Sequence, residues 1–257
     1  MLHKQSTILI TGATSGFGEA IARLAAQEWK APLTLILTGR RIERLKALQT
    51  ELAKGSVSVE IASFDIQDSN AVANFAKTFH SQLSNLDVLV NNAGLAAGLH
   101  TIQEGELADW NAMIDTNLKG LLYVSRAILP HMIAKKSGHI VNIGSVAGRE
   151  VYPKGNVYAA TKHAVAALTE AMRIDTLGSG IRVTNIEPGK SETEFSLVRY
   201  KGDETKAAAE YKGMRALQPQ DIAEAVLWSL SRPQHVNIQE ILIMPTDQAS
   251  ARDVYRS

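Results

Sequence analysis

Tyr158 and Lys162 have the residue types and the spacing that proton-transfer chemistry needs. They lie four positions apart in Tyr-Ala-Ala-Thr-Lys, and residues four apart share one face of a helix. A nearby ammonium favours a phenolate over a phenol, so we expect Lys162 to draw the pKa of Tyr158 down from its ordinary value of about 10. Such a phenol exchanges protons with an alcohol or a carbonyl, which is the proton chemistry that accompanies hydride transfer. Taken alone, the two residues are also typical of an ordinary surface pair, and only the rest of the chain distinguishes these interpretations.

The composition limits the kind of partner. The 257 residues suffice for one large α/β domain with a well-buried core. With 27 basic and 26 acidic residues and no block of like charges, the chain has no pattern typical of nucleic-acid or membrane binding. It has no cysteine, and its seven histidines form no metal-binding cluster, so we expect no metal. We therefore expect a small-molecule partner.

The sequence contains no recognisable targeting or membrane segment. Residues 1–6 have neither the apolar core of a signal peptide nor an arginine-rich transit pattern. The longest apolar runs, such as 33–37, fall far short of the roughly 20 residues that a membrane span needs. We expect a cytoplasmic protein.

Short β-rich segments alternate with amphipathic helical segments along the whole chain. Strands are predicted at residues 7–11, 33–38, 57–63, 88–91, 139–143, 182–187 and 240–244. Helices are predicted at residues 18–28, 42–53, 70–80, 110–132 and 157–177. This alternation predicts a doubly wound α/β domain over residues 1–257, with a mainly parallel sheet covered by helices on both faces. The segment 191–213 breaks the rhythm, and we expect it to form a helical lid over a substrate.

A glycine-rich turn follows the first predicted strand and precedes an amphipathic helix. Its sequence, Thr-Gly-Ala-Thr-Ser-Gly-Phe-Gly, allows a tight turn and lets a pyrophosphate approach the amides at the start of the helix. A structural turn without a ligand is the alternative. We predict that the cofactor contacts Gly12, Thr14, Ser15, Gly16, Phe17 and Gly18.

The end of the second predicted strand indicates which dinucleotide binds. A carboxylate for the ribose 2′-hydroxyl is expected there if the cofactor is NAD, but Gly39 is followed by Arg40 and Arg41. Guanidinium groups grip phosphate oxygens, so NADP(H) fits better, with Arg40 the stronger candidate. The alternative is that both arginines belong to the solvated start of a helix.

Two further segments lie where a dinucleotide is expected. Asp65 and Ile66 follow the third predicted strand and are placed to meet an adenine ring, although Asp65 can equally cap the next helix. After the fourth predicted strand, small residues let the backbone approach a cofactor. These residues are Asn92, Ala93 and Gly94.

These motifs, in this order, resemble those of the short-chain dehydrogenase/reductase family. The resemblance rests on the glycine-rich turn, Asp65, Asn-Asn-Ala-Gly at 91–94, Asn117, Ser145, Tyr158 and Lys162. It covers essentially the whole chain, and it implies a seven-stranded Rossmann sheet and a homotetramer.

Three shorter stretches resemble one group within that family. Residues 147–158, 194–202 and 244–249 are similar to those of NADP-dependent 3-hydroxy acid dehydrogenases. The resemblance implies oxidation of serine, allo-threonine or 3-hydroxypropionate and reduction of the corresponding semialdehydes or 3-oxo acids.

The candidate catalytic residues have distinct expected roles. Tyr158 is the expected general acid/base, Lys162 tunes it, and Ser145 donates a hydrogen bond to the substrate oxygen where charge develops. The family resemblance adds that Lys162 holds the nicotinamide ribose and that Asn117 holds water leading to solvent. Ser145 as a strand end and Asn117 as a polar residue inside a helix are the alternatives.

The loop after the sixth predicted strand both matches and departs from the family. By resemblance, Pro188 and Gly189 lie against the nicotinamide, and Thr193 bonds its carboxamide. Lys190 stands where an apolar residue is expected. It can point to solvent, contact a cofactor phosphate or neutralise a substrate carboxylate, and we favour solvent.

Two arginines are candidates for binding a substrate carboxylate. Arg149 follows Ser145 closely, and Arg199 lies within the predicted lid. A guanidinium forms two parallel bonds to a carboxylate, and we favour Arg149. The function that fits best is an NADP-dependent oxidoreductase for short 3-hydroxy acids. The alternatives are a reductase of another carbonyl, such as a sugar-derived keto acid, a diketone or a bulky ketone, and a non-catalytic NADP(H) sensor.

Overall fold

A computed structural model describes residues 4–257 of the chain. Residues 1–3, which belong both to the predicted domain and to the segment 1–6 considered as a possible targeting signal, therefore lie outside the described residues.

Seven strands form one parallel sheet. They are β1 (Ser6–Ile10), β2 (Leu33–Gly39), β3 (Val57–Ser63), β4 (Val88–Asn91), β5 (Gly138–Ile143), β6 (Ile181–Pro188) and β7 (Glu240–Ile243). Their order across the sheet is β3-β2-β1-β4-β5-β6-β7, and every neighbouring pair runs parallel. The predicted doubly wound α/β fold is confirmed, and the sheet is wholly rather than mainly parallel.

Helices connect the strands and cover both faces of the sheet. They are α1 (Gly16–Glu28), α2 (Ile42–Leu52), α3 (Ser69–Thr78), α4 (His80–Leu83), α5 (Leu107–Ile114), α6 (Leu121–Lys135), α7 (Asn156–Asp175), α8 (Glu194–Arg199), α9 (Glu204–Ala209) and α10 (Pro219–Ser231). The segment predicted as one helix over 110–132 is interrupted, because a π-helix at Asp115–Gly120 joins α5 to α6.

The sheet lies between two apolar layers. On one face, Ile21 of α1, Leu45 of α2 and Ile222 of α10 pack on strand residues such as Leu35. On the other face, α3, α6 and α7 contribute a second cluster around residues such as Leu89. The continuous apolar strands are explained by this burial on both faces. No helix within residues 4–257 has the length and apolar character required to span a bilayer.

The sheet order determines where a ligand can bind. Strand order reverses between β1 and β4, and in parallel sheets the crevice at such a point, beyond the carboxyl ends of the strands, is the usual ligand site. The glycine-rich turn follows β1, the 91–94 motif ends β4, and Ser145 follows β5. Helices α8 and α9 of the 191–213 segment follow β6 on the same side.

Candidate active site

A cleft of about 460 Å³ lies along the carboxyl ends of the strands. It runs from the glycine-rich turn and Arg40, past Ser145 and Tyr158, to the 191–213 segment. Of the residues expected to contact cofactor or substrate, most line this cleft: Gly12, Thr14, Ser15, Gly16, Phe17, Arg40, Arg41, Asp65, Ile66, Asn92, Ala93, Gly94, Ser145, Tyr158, Lys162, Pro188, Gly189 and Thr193. Gly18 and Asn117 lie just behind its wall, and Arg149 lies elsewhere.

Tyr158 and Lys162 share the cleft-facing side of α7. Lys162 is only 7% exposed, and its Nζ atom lies 5.9 Å from the centre of the Tyr158 ring. The same Nζ donates a 2.8 Å hydrogen bond to the backbone oxygen of Ile143, at the end of β5. Ser145 begins a 3-10 turn, where its buried Oγ accepts a bond from the Ala147 amide. The ends of β5 and α7 thus bring the three polar groups to one place.

The pKa shifts at this site run against the expectation from sequence. Burial raises the pKa of Tyr158 to about 12, and nearby Tyr152 adds to the rise, while Arg199 and a hydrogen bond with Ser145 oppose it. Burial lowers the pKa of Lys162 to about 8. The predicted decrease of the Tyr158 pKa is therefore not found for the chain by itself. The physical reason is that burial destabilises the charged form of each group.

Asn117 occupies the π-helix between α5 and α6. It is 2% exposed, and its side-chain amide bonds both backbone groups of Leu95 at 2.8 Å. It also donates to the Thr161 hydroxyl on α7 at 3.1 Å. Because π-helices often occur at functional sites, this local widening of the helix is consistent with a functional role for Asn117. Asn117 therefore holds the backbone at Leu95 against α7, the helix that carries Tyr158 and Lys162.

The glycine-rich turn is packed too tightly for side chains. Gly12 has φ +66°, and a Cβ atom there would lie 2.8 Å from the Ala93 Cα. A Cβ at Gly18 would lie 2.5 Å from the Gly12 oxygen. Asn92 closes the turn by donating to the backbone oxygens of Thr11 and Gly12 at 2.9 and 3.1 Å. The start of α1 is thereby exposed to the cleft, and the residues present fit a dinucleotide with its pyrophosphate at this helix N-terminus.

Arginines line the end of the cleft beside β2. The side chain of Arg40 is 66% exposed, with one contact of 3.5 Å to Asp65. Arg41 bonds Thr14, Ser15 and Glu194, and Arg44 also bonds Glu194. Arg40 thus presents an accessible guanidinium, whereas the donors of Arg41 are engaged by protein groups. This donor set suits a phosphate on the adenosine ribose.

Asp65 serves the turn after β3. Its Oδ1 accepts the Gln67 amide at 3.0 Å, and α3 is capped instead by Asp68, whose carboxylate accepts from Asn70 and Ala71. The alternative that Asp65 caps this helix is therefore wrong. Ile66 is buried against Gly120 in the π-helix.

The loop after β6 lies along the cleft, and its lysine does not point to solvent. Lys190 pairs with Glu210, which follows α9, and both side chains are mostly buried. The preferred expectation for Lys190 is therefore wrong, because a carboxylate from the 191–213 segment binds its ammonium. Thr193 caps α8 by accepting the Phe195 amide at 3.1 Å.

Arg149 does not face the cleft. It pairs with the buried carboxylate of Glu187 on β6 and, at 2.8 Å, with that of Glu240 on β7. The structure thus corrects the prediction that Arg149 binds substrate. The 3-10 turn at Val146–Gly148 separates it from Ser145 and directs it to the other side of β6.

Arg199, rather than Arg149, lies in the cleft beside Tyr158. At the end of α8, its guanidinium carbon lies 5.0 Å from the centre of the Tyr158 ring and 5.2 Å from that of Phe195. Its Nη2 donates to the Tyr152 hydroxyl at 2.6 Å. Its buried Nε has no hydrogen-bond partner among the described residues. Only Nη2 of this guanidinium donates to a protein group among the described residues, and a cation in the cleft wall beside Tyr158 is suited to an anionic ligand.

Sequence reasoning did not single out Tyr152, Glu194 and Glu210. Each lies in an irregular or short helical segment with no periodic pattern, and each bonds a cation from a distant part of the chain. Only Glu194 carries a local signal, since an acidic residue after Thr193 is typical of the first turn of a helix.

Comparisons with known proteins agree with this site. A family model described as short chain dehydrogenase matches residues 6–202. NADP-dependent 3-hydroxy acid dehydrogenase YdfG of Salmonella typhi is 47% identical, over 97% of this chain and 99% of that protein. Sulfoacetaldehyde reductase 2 of Chromohalobacter salexigens is 46% identical, over 94% of this chain and 95% of that protein. The solved closed form of serine dehydrogenase complexed with NADP+ is 45% identical, with a TM-score of 0.90, covering 98% of this chain and 100% of that one. The chain therefore belongs to the short-chain dehydrogenase/reductase family of oxidoreductases.

Proposed function

We propose that this chain is an NADP-dependent oxidoreductase that interconverts short 3-hydroxy acids and their semialdehyde or 3-oxo forms. The observation that carries the proposal is the position of Arg199, which lines the cleft with its guanidinium carbon 5.0 Å from the centre of the Tyr158 ring and only Nη2 bonded to a protein group among the described residues. A carboxylate bonded there brings the hydroxyl group of a short acid within reach of Tyr158. Similarity to proteins named 3-hydroxy acid and serine dehydrogenase supports the same substrate class.

The proposed cofactor is NADP(H). Arg40 is the accessible guanidinium at the end of β2, and the residues that directly follow the strand, Arg40 and Arg41, are basic rather than acidic. Asp65 lies 3.5 Å from Arg40 and partly offsets its charge. The glycine-rich turn and the 92–94 segment hold the pyrophosphate and the nicotinamide side of the dinucleotide. Similar proteins are named as NADP-dependent or complexed with NADP+.

The chemistry is divided among four side chains. NADP(H), when bound, supplies or accepts the hydride. Tyr158 gives its phenolic proton to the alkoxide oxygen in reduction and removes the alcohol proton in oxidation. Lys162, protonated at neutral pH with a pKa of about 8, favours the phenolate and bonds the ribose hydroxyls. Ser145 donates to the substrate oxygen, and Asn117 holds a water between Lys162 and solvent.

The 191–213 segment is proposed to act as a lid within a single domain. Its Lys190–Glu210 pair and the Arg199 contacts close the cleft beside Tyr158. The proposal extends to a cytoplasmic homotetramer. Exposed apolar side chains on α5 and α7 support an interface, notably Leu107 at 69% and Ile174 at 66% exposure.

A second candidate function has the same anion recognition but a different acid. The 46% identical relative named sulfoacetaldehyde reductase 2 suggests a short aldehyde bearing a sulfonate, which a guanidinium also binds through two oxygens. For a reductase of uncharged carbonyls or a non-catalytic NADP(H) sensor, the cleft-lining guanidinium of Arg199 has no anionic substrate to bind.

The test is a panel of initial rates at fixed pH with NADPH and NADH. Malonic semialdehyde and sulfoacetaldehyde are compared with neutral aldehydes, and oxidation of 3-hydroxypropionate is compared with that of its neutral amide. We expect NADPH with malonic semialdehyde to give the highest kcat/KM, and Tyr158→Phe to abolish turnover while NADPH still binds. If a neutral carbonyl is preferred by orders of magnitude, the substrate assignment fails. If wild type binds NADPH and turns over nothing, the protein is a sensor rather than an enzyme.

A further inference from the structure

Arg199 holds an uncompensated charge next to the group that exchanges protons. Its guanidinium carbon lies within 6 Å of three aromatic ring centres, those of Tyr152, Tyr158 and Phe195. Glu210, whose negative charge acts on Arg199, is bound by Lys190 and by the Tyr200 hydroxyl at 2.9 Å. Within residues 4–257, Arg199 forms no ion pair with a carboxylate. Its charge therefore acts on the Tyr158 ring without a bonded counter-ion.

The other charged and titratable groups around Tyr158 are few. From α7 itself comes Lys162, 5.9 Å from the ring centre. From the loop before α7 comes Tyr152, and from the end of β5 the uncharged Ser145. A small cavity behind the ring is also lined by the titratable groups His100, Glu106, Asp109 and Lys154, and Lys201 pairs with Glu106 and Asp109 there. Arg199 and Lys162 are thus the cations closest to the ring, on different elements.

These two cations differ in what can neutralise them. Lys162 is buried with its Nζ bonded to a backbone oxygen, so a substrate carboxylate does not replace its partner. Arg199 lies in the cleft wall, and only its Nη2 donates to a protein group among the described residues. A substrate anion that binds Arg199 cancels the cation nearest to Tyr158, whereas an uncharged substrate leaves that cation in place.

We propose that Arg199 is a catalytic residue that stabilises the Tyr158 phenolate, and that the carboxylate of the substrate switches this effect off on binding. The proposal rests on the proposed function for its substrate class. In reduction, the bound acid keeps the Tyr158 proton in place to be donated. In oxidation, the same acid makes Tyr158 harder to deprotonate. The opposing influence of Arg199 on the raised pKa of Tyr158 has the sign that this requires.

The test compares two pH profiles of oxidation with saturating NADP+, one for 3-hydroxypropionate and one for 3-hydroxypropionamide. The kcat/KM profile reports Tyr158 before the alcohol binds, and the kcat profile reports it in the complex. We expect the kcat/KM limb at the same pH for both alcohols. The kcat limb should lie higher for the acid by roughly one to two pH units, and it should not move for the amide.

Two substitutions separate this effect from damage to the fold. Arg199→Met should raise the kcat/KM limb for the amide by roughly one to two pH units, and Arg199→Lys should leave it near the wild-type position. Lys206→Met is the matched control, because Lys206 is an exposed cation of the same segment that pairs with Asp203. An unchanged amide limb in Arg199→Met, or wild-type kcat limbs that coincide for acid and amide, overturns the proposal.

The outcome is separable from that of the proposed function. If 3-hydroxypropionate is not oxidised, the amide or any other neutral alcohol that turns over still tests the effect of Arg199 through the kcat/KM limb. If no alcohol turns over, tyrosinate absorbance of the NADP+ complex is titrated instead, with Tyr158→Phe identifying the signal. The tyrosinate signal should then move to higher pH in Arg199→Met and on addition of 3-hydroxypropionate to wild type. No movement in either case contradicts the proposal.

Discussion

At the scale of single residues, burial has a larger effect than nearby charge on the pKa values at the proposed proton-transfer site. The same burial that raises the pKa of Tyr158 to about 12 lowers that of Lys162 to about 8. One cation at 5.9 Å from the ring does not offset the cost of placing a phenolate in the cleft. A second cation, Arg199, lies closer to the ring, at 5.0 Å, and also favours the phenolate. The positive charge of an oxidised nicotinamide acts in the same direction. The pKa of Tyr158 therefore depends on all three of these positive charges.

Arg40 is the residue at which cofactor preference can be tested. Arg40→Gln removes the accessible guanidinium but no bond within the glycine-rich turn. Because hydrogen bonds to charged groups contribute about 1.5–3 kcal/mol, we expect KM for NADPH to rise roughly 10- to 100-fold and KM for NADH to stay nearly constant. Initial rates with both cofactors measure this. Arg126→Gln is the control, since Arg126 lies on α6 away from the cleft. An equal loss for both cofactors would show that Arg40 does not read the phosphate.

Arg149 and Arg199 show that proximity in sequence does not identify which arginine lines the cleft. Arg149 is close to Ser145 in sequence, but the intervening 3-10 turn and the carboxylates of β6 and β7 take it out of the cleft. Arg199 is 54 positions from Ser145, and α8 brings it back. Contacts of that separation depend on how segments pack, and no local spacing encodes them.

At the scale of elements, the strands are the best-predicted part of the molecule. Apolar runs bounded by turn residues place all seven strands to within one residue at each end. The five predicted helices follow the same periodicity, except where a π-helix at Asp115–Gly120 widens the backbone, and α10 was not predicted. That widening leaves the apolar pattern of the segment unchanged, so hydrophobic periodicity cannot reveal it. It does place Asn117 where its amide bonds both Leu95 and Thr161.

The first residue of α8 connects the 191–213 segment to the cofactor end of the cleft. Glu194 bonds Arg41 at 2.8 Å and Arg44 at 2.6 Å, and both arginines also bond Thr14 of the glycine-rich turn. Thr14, Arg41 and Glu194 all line the cleft. We therefore expect them to hold a bound dinucleotide in place without distinguishing its phosphate.

Glu194→Gln tests this connection. Exposed ion pairs each contribute about 0.2–1 kcal/mol, so the loss of two should weaken binding of NADPH and NADH alike, by roughly 2- to 30-fold. Fluorescence titration of the reduced cofactors measures both Kd values. Glu192→Gln is the matched control, because Glu192 is an exposed carboxylate that bonds Gln218 instead. Tighter binding of NADPH alone would mean that Glu194 competes with the phosphate, contrary to this expectation.

At the scale of the whole molecule, the parallel sheet gathers residues from distant parts of the chain. Arg40 follows β2 at one end of the cleft, Tyr158 and Lys162 come from α7 in the middle, and Arg199 closes the other end. The proposed phosphate site and the proposed acid site therefore lie on opposite sides of Tyr158 and Lys162. The order of strands and helices predicts where Arg40, Tyr158 and Lys162 lie, because the connections between strands and helices place them at the carboxyl ends of the strands. The third depends on the 191–213 segment, whose fold is irregular and has no periodic signature.

The measurement that tests the proposed acid site most directly is the ratio of kcat/KM for 3-hydroxypropionate to that for its amide. It is determined in wild type, Arg199→Gln and Arg149→Gln, and a ratio is insensitive to loss of folded enzyme. Arg199→Gln should lower the ratio roughly 10- to 100-fold, since a hydrogen-bonded charge contributes about 1.5–3 kcal/mol. Arg149→Gln should leave the ratio unchanged, because its guanidinium is bound to Glu187 and Glu240 outside the cleft. A ratio that falls in Arg149→Gln, or that stays constant in Arg199→Gln, would show that the acid is bound elsewhere.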